Sequence, residues 1–181
     1  NTGKLAYFED WTESELATHS FGQGVTVTML QLVNAYSALA NGGILMQPYI
    51  IDEVRHDNGT VTKTDPHQIR RVISEDTSSK LTQMLVYSTE NGVARNAQVD
   101  RHLVAGKTGT SQTYKHGKAL SGSGTTITSF AGYGPVNDPK FVVLVKFDHP
   151  RESEWGSKTA APTFSRIASY LFEYYNVPPD K

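Results

Sequence analysis

Lys107-Thr108-Gly109-Thr110-Ser111-Gln112 stands in the last third of a 181-residue chain, just after the apolar Leu103-Val104-Ala105. Residues 102–110 read as a strand. Side chains alternate across a strand, so Lys107 and Gly109 share one face while Thr108 and Thr110 share the other. A strand glycine lets a second backbone or a ligand come close. Such a strand offers an ammonium, hydroxyls and backbone N–H groups to a carboxylate or an oxyanion. By composition alone, a Lys-[Ser/Thr]-Gly-[Ser/Thr] string turns up in on the order of one chain of this size in a hundred. Its surroundings must decide between a site and an ordinary polar strand end.

Those surroundings read as sheet and then helix. Residues 125–133 predict a second strand. Phe141-Val142-Val143-Leu144-Val145-Lys146-Phe147 is almost continuously apolar, the pattern of a strand buried on both faces. Between the first two strands, Lys115 to Gly124 forms a loop rich in Gly, Ser and Lys, fit to rim a site or to serve as a flexible linker. Asp148-His149-Pro150 reads as a turn. A final helix from about Pro162 to about Tyr175 carries Phe164, Ile167, Ala168 and Leu171 as its inner stripe.

Upstream, residues 1–24 are polar and close on Gly22-Gln23-Gly24. A helix follows, capped by Thr26 or Thr28, with Met29, Leu32, Val33, Tyr36, Leu39 and Ala40 on one stripe and Asn41-Gly42-Gly43 as its stop. Tyr49 to Val54 and Thr60 to Lys63 flank Asn58-Gly59, a hairpin signal in which both turn positions favour positive φ. A second helix starts at Ser74, buries Leu81, Met84 and Leu85, and stops at Asn91-Gly92.

The composition, with 38% hydrophobic and 19% charged residues, is that of a globular chain large enough to bury a core. Its net charge of −1, with no basic run beyond Arg70-Arg71, gives no footprint for nucleic acid. The absence of cysteine excludes disulfides and thiolate chemistry. The six histidines show no zinc spacing, so no metal and no cofactor are expected. Trp11 and Trp155 fit packing or a cleft rim better than base stacking. No apolar run approaches the ~20 residues of a membrane-spanning helix, and no signal peptide is seen. The opening Asn1-Thr2-Gly3-Lys4 reads as a cut within a larger protein.

Four stretches together resemble the class B penicillin-binding proteins, the peptidoglycan D,D-transpeptidases of the septal and sporulation type. They are Phe21-Gly22-Gln23-Gly24-Val25-Thr26-Val27-Thr28 through Leu39-Ala40-Asn41-Gly42-Gly43, Lys107 to Gln112, Ser129-Phe130-Ala131-Gly132-Tyr133-Gly134-Pro135, and Ala160-Ala161-Pro162-Thr163-Phe164. The resemblance runs the length of the chain, in the family's order. It implies an α/β fold of the β-lactamase/transpeptidase kind, an antiparallel-rich sheet flanked by helices. This chain would supply three strands and the C-terminal helix.

The same resemblance implies serine acyl transfer on D-Ala-D-Ala stem peptides, with β-lactams as mimics that leave a long-lived acyl-enzyme. Carried over by position, Lys107 supplies positive charge and a hydrogen bond to the catalytic hydroxyl network. Thr108 and Thr110 hold the substrate carboxylate, the Thr110 N–H forms half of an oxyanion hole, Gly109 keeps the strand open, and Gln112 lines the cleft. The implied location is the outer face of the cytoplasmic membrane, anchored by an upstream segment, among division-machinery proteins.

The sequence departs from the family at one point. No lysine has a serine three residues before it; Thr60 before Lys63 and Thr77 before Lys80 come nearest. No asparagine completes Ser-x-Asn, Thr89-Glu90-Asn91 being the nearest. Residues 1–181 therefore read as the C-terminal half of the transpeptidase domain, expected to be inert alone and to need the nucleophile-bearing half. The alternatives are a non-catalytic penicillin-recognising sensor, a β-lactamase, and a partner-binding module of the division machinery. The long helical stretch at 21–43 weighs against the sensor. The β-lactamase would need a hydrolytic base and a different chain around the strand motif.

Overall fold

A computed structural model describes residues 3, 6–116 and 118–181. Residues 1, 2, 4 and 5 of the opening segment, and Gly117 of the glycine-rich loop, lie outside the described residues. The polar opening holds a helix absent from the sequence reading, α1 (Glu13–His19). Its signal is a capping box: Glu15 N–H donates to Thr12 Oγ1 (3.2 Å) and Thr12 N–H donates to the Glu15 carboxylate (2.8 Å). Trp11 packs edge-on against His19, ring centres 4.4 Å apart.

Helix α2 (Met29–Ala40) uses Thr28, not Thr26, as its cap, again in a box, with Gln31 as the third residue. It stops because Gly42 and Gly43 take φ of 80° and 94°, which lets the Gly43 N–H reach Ala38 O at 2.7 Å. Strands β1 (Ile44–Met46), β2 (Glu53–Arg55), β3 (Val61–Lys63) and β4 (Gln68–Arg71) make two small antiparallel pairs, β1 with β4 and β2 with β3. The β2–β3 hairpin falls where Asn58-Gly59 predicts it, with a different turn. Only Gly59 is left-handed (φ 82°), and Gly59 N–H closes on His56 O at 2.9 Å while His56 N–H meets Thr60 O. This is a three-residue loop ending on a left-handed glycine, which needs positive φ at one position only.

Helix α3 (Glu75–Glu90) starts at the expected cap, Ser74, whose hydroxyl accepts from Thr77 N–H at 3.1 Å. Met84, expected inside, is 66% exposed; the buried residues of this helix are Ser78 and Thr89. The helix is turned by polar contacts rather than by its largest side chains. Ser78 Oγ donates to Leu39 O (2.6 Å), tying it to α2, and Thr89 Oγ1 donates to Val104 O (2.7 Å), tying it to the sheet. A hydroxyl that meets a carbonyl can be buried at little cost.

The main sheet is antiparallel. It is built from β5 (Ala105–Gln112), then, after a small hairpin of β6 (Tyr114–Lys115) and β7 (Lys118–Ala119), from β8 (Thr126–Gly134) and β9 (Phe141–Asp148), in the order β5-β8-β9. Register pairs Lys107 with Ala131, Gly109 with Ser129 and Thr110 with Thr128. Helix α4 (Ala160–Tyr174) covers the face of Thr128 and Phe130, with Phe164 4.5 Å from Phe130. It begins two residues earlier than expected, with Pro162 still in the first turn. Its inner stripe is Phe164, Ala168 and Phe172, and Ile167 is 38% exposed instead. The opposite face meets α3 through the Tyr133 hydroxyl, 2.6 Å from Thr82 Oγ1. Burial pushes the Tyr36 phenol on α2 up to about 12, and the neighbouring Tyr133 adds to the shift. Tyr133 is itself raised by burial.

Strand β9 is not buried on both faces. Only Val145 along it is buried, and Phe147 is 37% exposed. It pairs with β8 on one side and with no strand on the other among the described residues.

Candidate active site

The motif occupies the free edge of the sheet. Among the described residues β5 has β8 on one side and no strand on the other, so every second backbone N–H and C=O along it points out of the sheet. Alternation behaves as the sequence predicts. Lys107 and Gly109 lie on the face of Ala131 and Ser129, and Thr108 and Thr110 lie on the face that α4 covers. Lys107 is exposed; its ammonium touches only the Thr108 carbonyl, at 3.2 Å, and no ion pair among the described residues holds it. The charge is thus free for an incoming group.

Two glycines thin the backbone at the motif. A Cβ on Gly109 would sit 2.5 Å from Ser129 Oγ, so glycine keeps that hydroxyl against the strand. From the other face Gly156 presses in: a Cβ there would lie 2.5 Å from Gly109 O and 2.8 Å from Ser129 O. Gly156 N–H donates to Thr110 Oγ1 at 3.1 Å. That bond uses a lone pair of the hydroxyl and leaves its proton to donate elsewhere.

Thr110 also borders a cavity of about 220 Å³, with Gln112, Thr126, Leu120, Ser121, Glu154, Trp155 and Gln23 around it. The site therefore gathers five separated stretches, namely the glycine-rich turn after α1, the motif strand, the loop that follows it, the start of β8, and the segment before α4. Leu120 and Ser121 place the glycine-rich loop at the rim. Trp155, 53% exposed, is the cleft-rim tryptophan, whereas Trp11 packs. A larger hollow of about 480 Å³ beside α4, around Phe147, Lys158 and Arg166, shares no residue with the motif.

Of the sequence-predicted residues, Lys107, Thr108, Gly109 and Thr110 are contiguous on β5, and only Thr110 and Gln112 reach the cavity. Sequence reasoning did not single out Gln23, Ser129, Glu154 or Gly156. Gln23 had a signal, since it lies in the glycine-rich turn. The other three reach the motif only through the register of β8 and the approach to α4.

This architecture, with a Lys-Thr-Gly-Thr strand at the sheet edge and a C-terminal helix across one face, can be set beside known proteins. The sequence model of the penicillin binding protein transpeptidase domain matches residues 1–169. The chain belongs to the penicillin-binding transpeptidase family. Within that family it is 41% identical, over 99% of its length, to stage V sporulation protein D of Bacillus subtilis, of which it spans 28%. It is 32% identical to the peptidoglycan D,D-transpeptidase FtsI homolog of Mesostigma viride, over 91% of the chain and 30% of that protein. Penicillin-binding protein 3 of Mycobacterium tuberculosis, solved in complex with aztreonam, superposes with a TM-score of 0.85 at 30% identity, covering 99% of this chain and 42% of that one. The transpeptidase fold expected from the sequence is thus the fold observed. The chain spans under a third of the two curated relatives. Among the described residues no helix is long and apolar enough to cross a membrane.

Proposed function

We propose that the chain is the strand-motif half of a serine D,D-transpeptidase that cross-links peptidoglycan stem peptides and is acylated by β-lactams. The observation that carries this reading is the open-edged β5, which presents an unpaired ammonium, two hydroxyls and free backbone donors beside a cavity. An extended peptide can lie along such an edge as an added strand. A serine supplied from outside these residues attacks the D-Ala–D-Ala carbonyl. The peptide C–N bond breaks, the terminal D-Ala leaves as an amine carrying the proton, and an acyl ester remains. An amine of a neighbouring stem then attacks the ester, and the serine recovers its proton. In a β-lactam the broken C–N bond belongs to a ring, so the leaving amine stays tethered and the ester persists.

Lys107 favours the deprotonated hydroxyl network and the anionic substrate. The Thr108 and Thr110 hydroxyls donate to the substrate carboxylate, the Thr110 N–H serves the developing oxyanion, Gly109 lets the peptide approach, and Gln112 lines the cleft. The likeness to a sporulation protein and an FtsI homolog supports a place in septal wall synthesis. That place is the outer face of the cytoplasmic membrane, next to division-machinery proteins.

The test uses the longer protein that carries this chain. Incubation with a fluorescent penicillin is expected to give one covalent adduct per molecule by intact mass. Lys107→Ala should slow acylation by about a hundredfold, the usual loss when one transition-state donor is removed. No adduct on the unsubstituted longer protein would overturn the reading.

A further inference from the structure

The β2–β3 hairpin stands apart from the motif. It joins neither the main sheet nor the β1–β4 pair, and none of its residues lines the cavity beside Thr110. Its hydrogen bonds fix which backbone groups face outward. Thr64 N–H donates to Asp52 O at 2.8 Å, and His56 N–H donates to Thr60 O at 2.9 Å. Register places Val54 opposite Thr62, midway between those two pairs. Bonded residues alternate with unbonded ones along an antiparallel pair, so Asp52, Val54 and His56 turn their backbone groups to β3. The N–H and C=O groups of Glu53 and Arg55 point the other way, where no strand lies among the described residues.

The side chains of that edge are charge-palindromic about Val54. The order is Asp52-Glu53-Val54-Arg55-His56, acids before the valine and bases after it. An antiparallel copy of the strand, centred on the same valine, sets Glu53 opposite Arg55 and Asp52 opposite His56 on both halves. Glu53 and Arg55 are then hydrogen-bonded pairs, and Val54, 44% exposed, meets its copy at the closer, non-bonded spacing. Phase and charge together select this register. Centring on Glu53 or on Arg55 keeps the backbone phase but sets like charge against like. Centring between two residues opposes outward groups to inward ones. Arg55 commits only Nε to Glu53, at 2.6 Å, and its side chain is 80% exposed, so its terminal nitrogens can reach a second carboxylate. The β3 edge offers no such match, since Lys63 is its one charge.

We propose that the β2 edge is a docking surface for a second copy of this chain, which joins the two hairpins into one continuous sheet across a two-fold axis at Val54. A second copy supplies, by symmetry, the complement at each position, as a self-matching interface requires. Charge usually guards an edge strand against pairing. Here it is balanced within the strand, so it guards against the wrong registers and favours this one. The pairing is separate from that of the main sheet's own edges, and it stands apart from the transpeptidase reading.

The test is charge reversal with mixing, on the 181-residue chain, read by amide exchange in NMR with one partner isotope-labelled. In the unsubstituted chain, exchange at the Glu53 and Arg55 amides should slow as concentration rises, while the Val54 amide, already bonded to β3, stays unchanged. Pairing at any other edge leaves these two amides as they are. Glu53→Arg sets cation against cation in the self-pair, and Arg55→Glu sets anion against anion. Each should weaken association through β2 by about tenfold, the size that two reversed cross-strand charge pairs carry. An equimolar mixture of the two variants opposes cation to anion at both positions and should restore the affinity. The labelled Glu53→Arg chain should regain protection at positions 53 and 55 only when the unlabelled Arg55→Glu chain is added. Were the Glu53–Arg55 contact important only for holding the hairpin, both variants would stay impaired in the mixture. Exchange at Glu53 and Arg55 that ignores concentration, single variants that pair as the unsubstituted chain does, or a mixture no better than its components would overturn the proposal. None of these readouts involves acylation, so this result and the acylation result stand or fall separately.

Discussion

Thr110 answers two demands with one hydroxyl. Its oxygen accepts from Gly156 N–H at 3.1 Å, and its proton is left to donate, which the proposed function assigns to a substrate carboxylate. Thr110→Val in the longer protein should therefore remove the proposed substrate contact and also strand the N–H of a buried glycine. Thr110→Ser keeps both. The expected outcome is an acylation rate for carboxylate-bearing β-lactams that falls roughly ten- to a hundred-fold in the valine variant and stays close to the original in the serine variant. A smaller loss is expected for analogues that lack the carboxylate, and second-order acylation rates for both ligand types measure the contrast. Equal losses would remove Thr110 from the carboxylate contact.

Gly156 gives a second prediction at the same scale. A methyl group there meets the backbone carbonyls of Gly109 and Ser129, which cannot rotate away as a side chain would. Gly156→Ala should cost about 1–3 kcal/mol, read as a lower urea midpoint at unchanged m-value. Lys107, Gly109 and Thr110 were legible because motif spacing is local. Gly156, Ser129 and Glu154 were not, because only the fold brings them within reach of residues about 20 to 47 positions away.

Elements were legible where their ends carry chemistry. Thr28, Ser74, Asn41-Gly42-Gly43 and Asn58-Gly59 mark boundaries that the structure keeps, because a cap or a left-handed glycine acts within a turn of itself. The capping box at Thr12 and Glu15 is equally local, but it opens a polar segment without the apolar stripe by which the other helices are read. Which face a helix buries was less legible. The sequence puts Met84 and Ile167 inside by hydrophobicity, whereas α3 is set by Ser78, Thr82 and Thr89 finding partners and α4 by the ring of Phe172. This polar seam has a pH signature. The Tyr36 phenol is raised to about 12 by burial, so the folded state holds its proton more tightly than the unfolded chain, whose tyrosine titrates near 10. The associated stability is fully present below pH 10 and is lost as pH rises toward about 12. Urea midpoints should be flat from pH 8 to 9.5 and fall between pH 10 and 12. Tyr36→Phe, which has no proton to lose, should shrink that fall and leave the part that the buried Tyr133 contributes; an identical alkaline fall in both proteins would show that Tyr36 is not a source of it.

At the scale of the whole molecule, the motif strand and the free strand bound the same sheet. No Ser-x-x-Lys occurs in the 181 residues, and acylation needs an activated nucleophile. The chain by itself should therefore show no mass increment after incubation with penicillin, under conditions that label the longer protein stoichiometrically. The other edge behaves differently. Among the described residues no strand pairs with the outer side of β9, so it presents unpaired backbone donors and acceptors along Phe141–Asp148, a largely apolar strand with no proline. Lys146, its one cation, is already neutralised by Asp148 at 2.6 Å. Natural sheets guard such edges with unpaired charge, proline or a bulge, and β9 carries neither proline nor an unpaired lysine. The opposite edge differs, because β5 carries the free charge of Lys107 and two glycines, Gly106 and Gly109, which weaken strand pairing. Self-association should thus run through β9 and not through β5. Sedimentation of the isolated chain should show a mass that rises above the 19.9 kDa monomer with concentration. Amide exchange should slow with concentration at alternate residues of β9, whose outward N–H groups would be the ones newly bonded, and stay unchanged along β5. A constant 19.9 kDa mass at every concentration, or protection that grows on β5 instead, would show that β9 is not the associating edge.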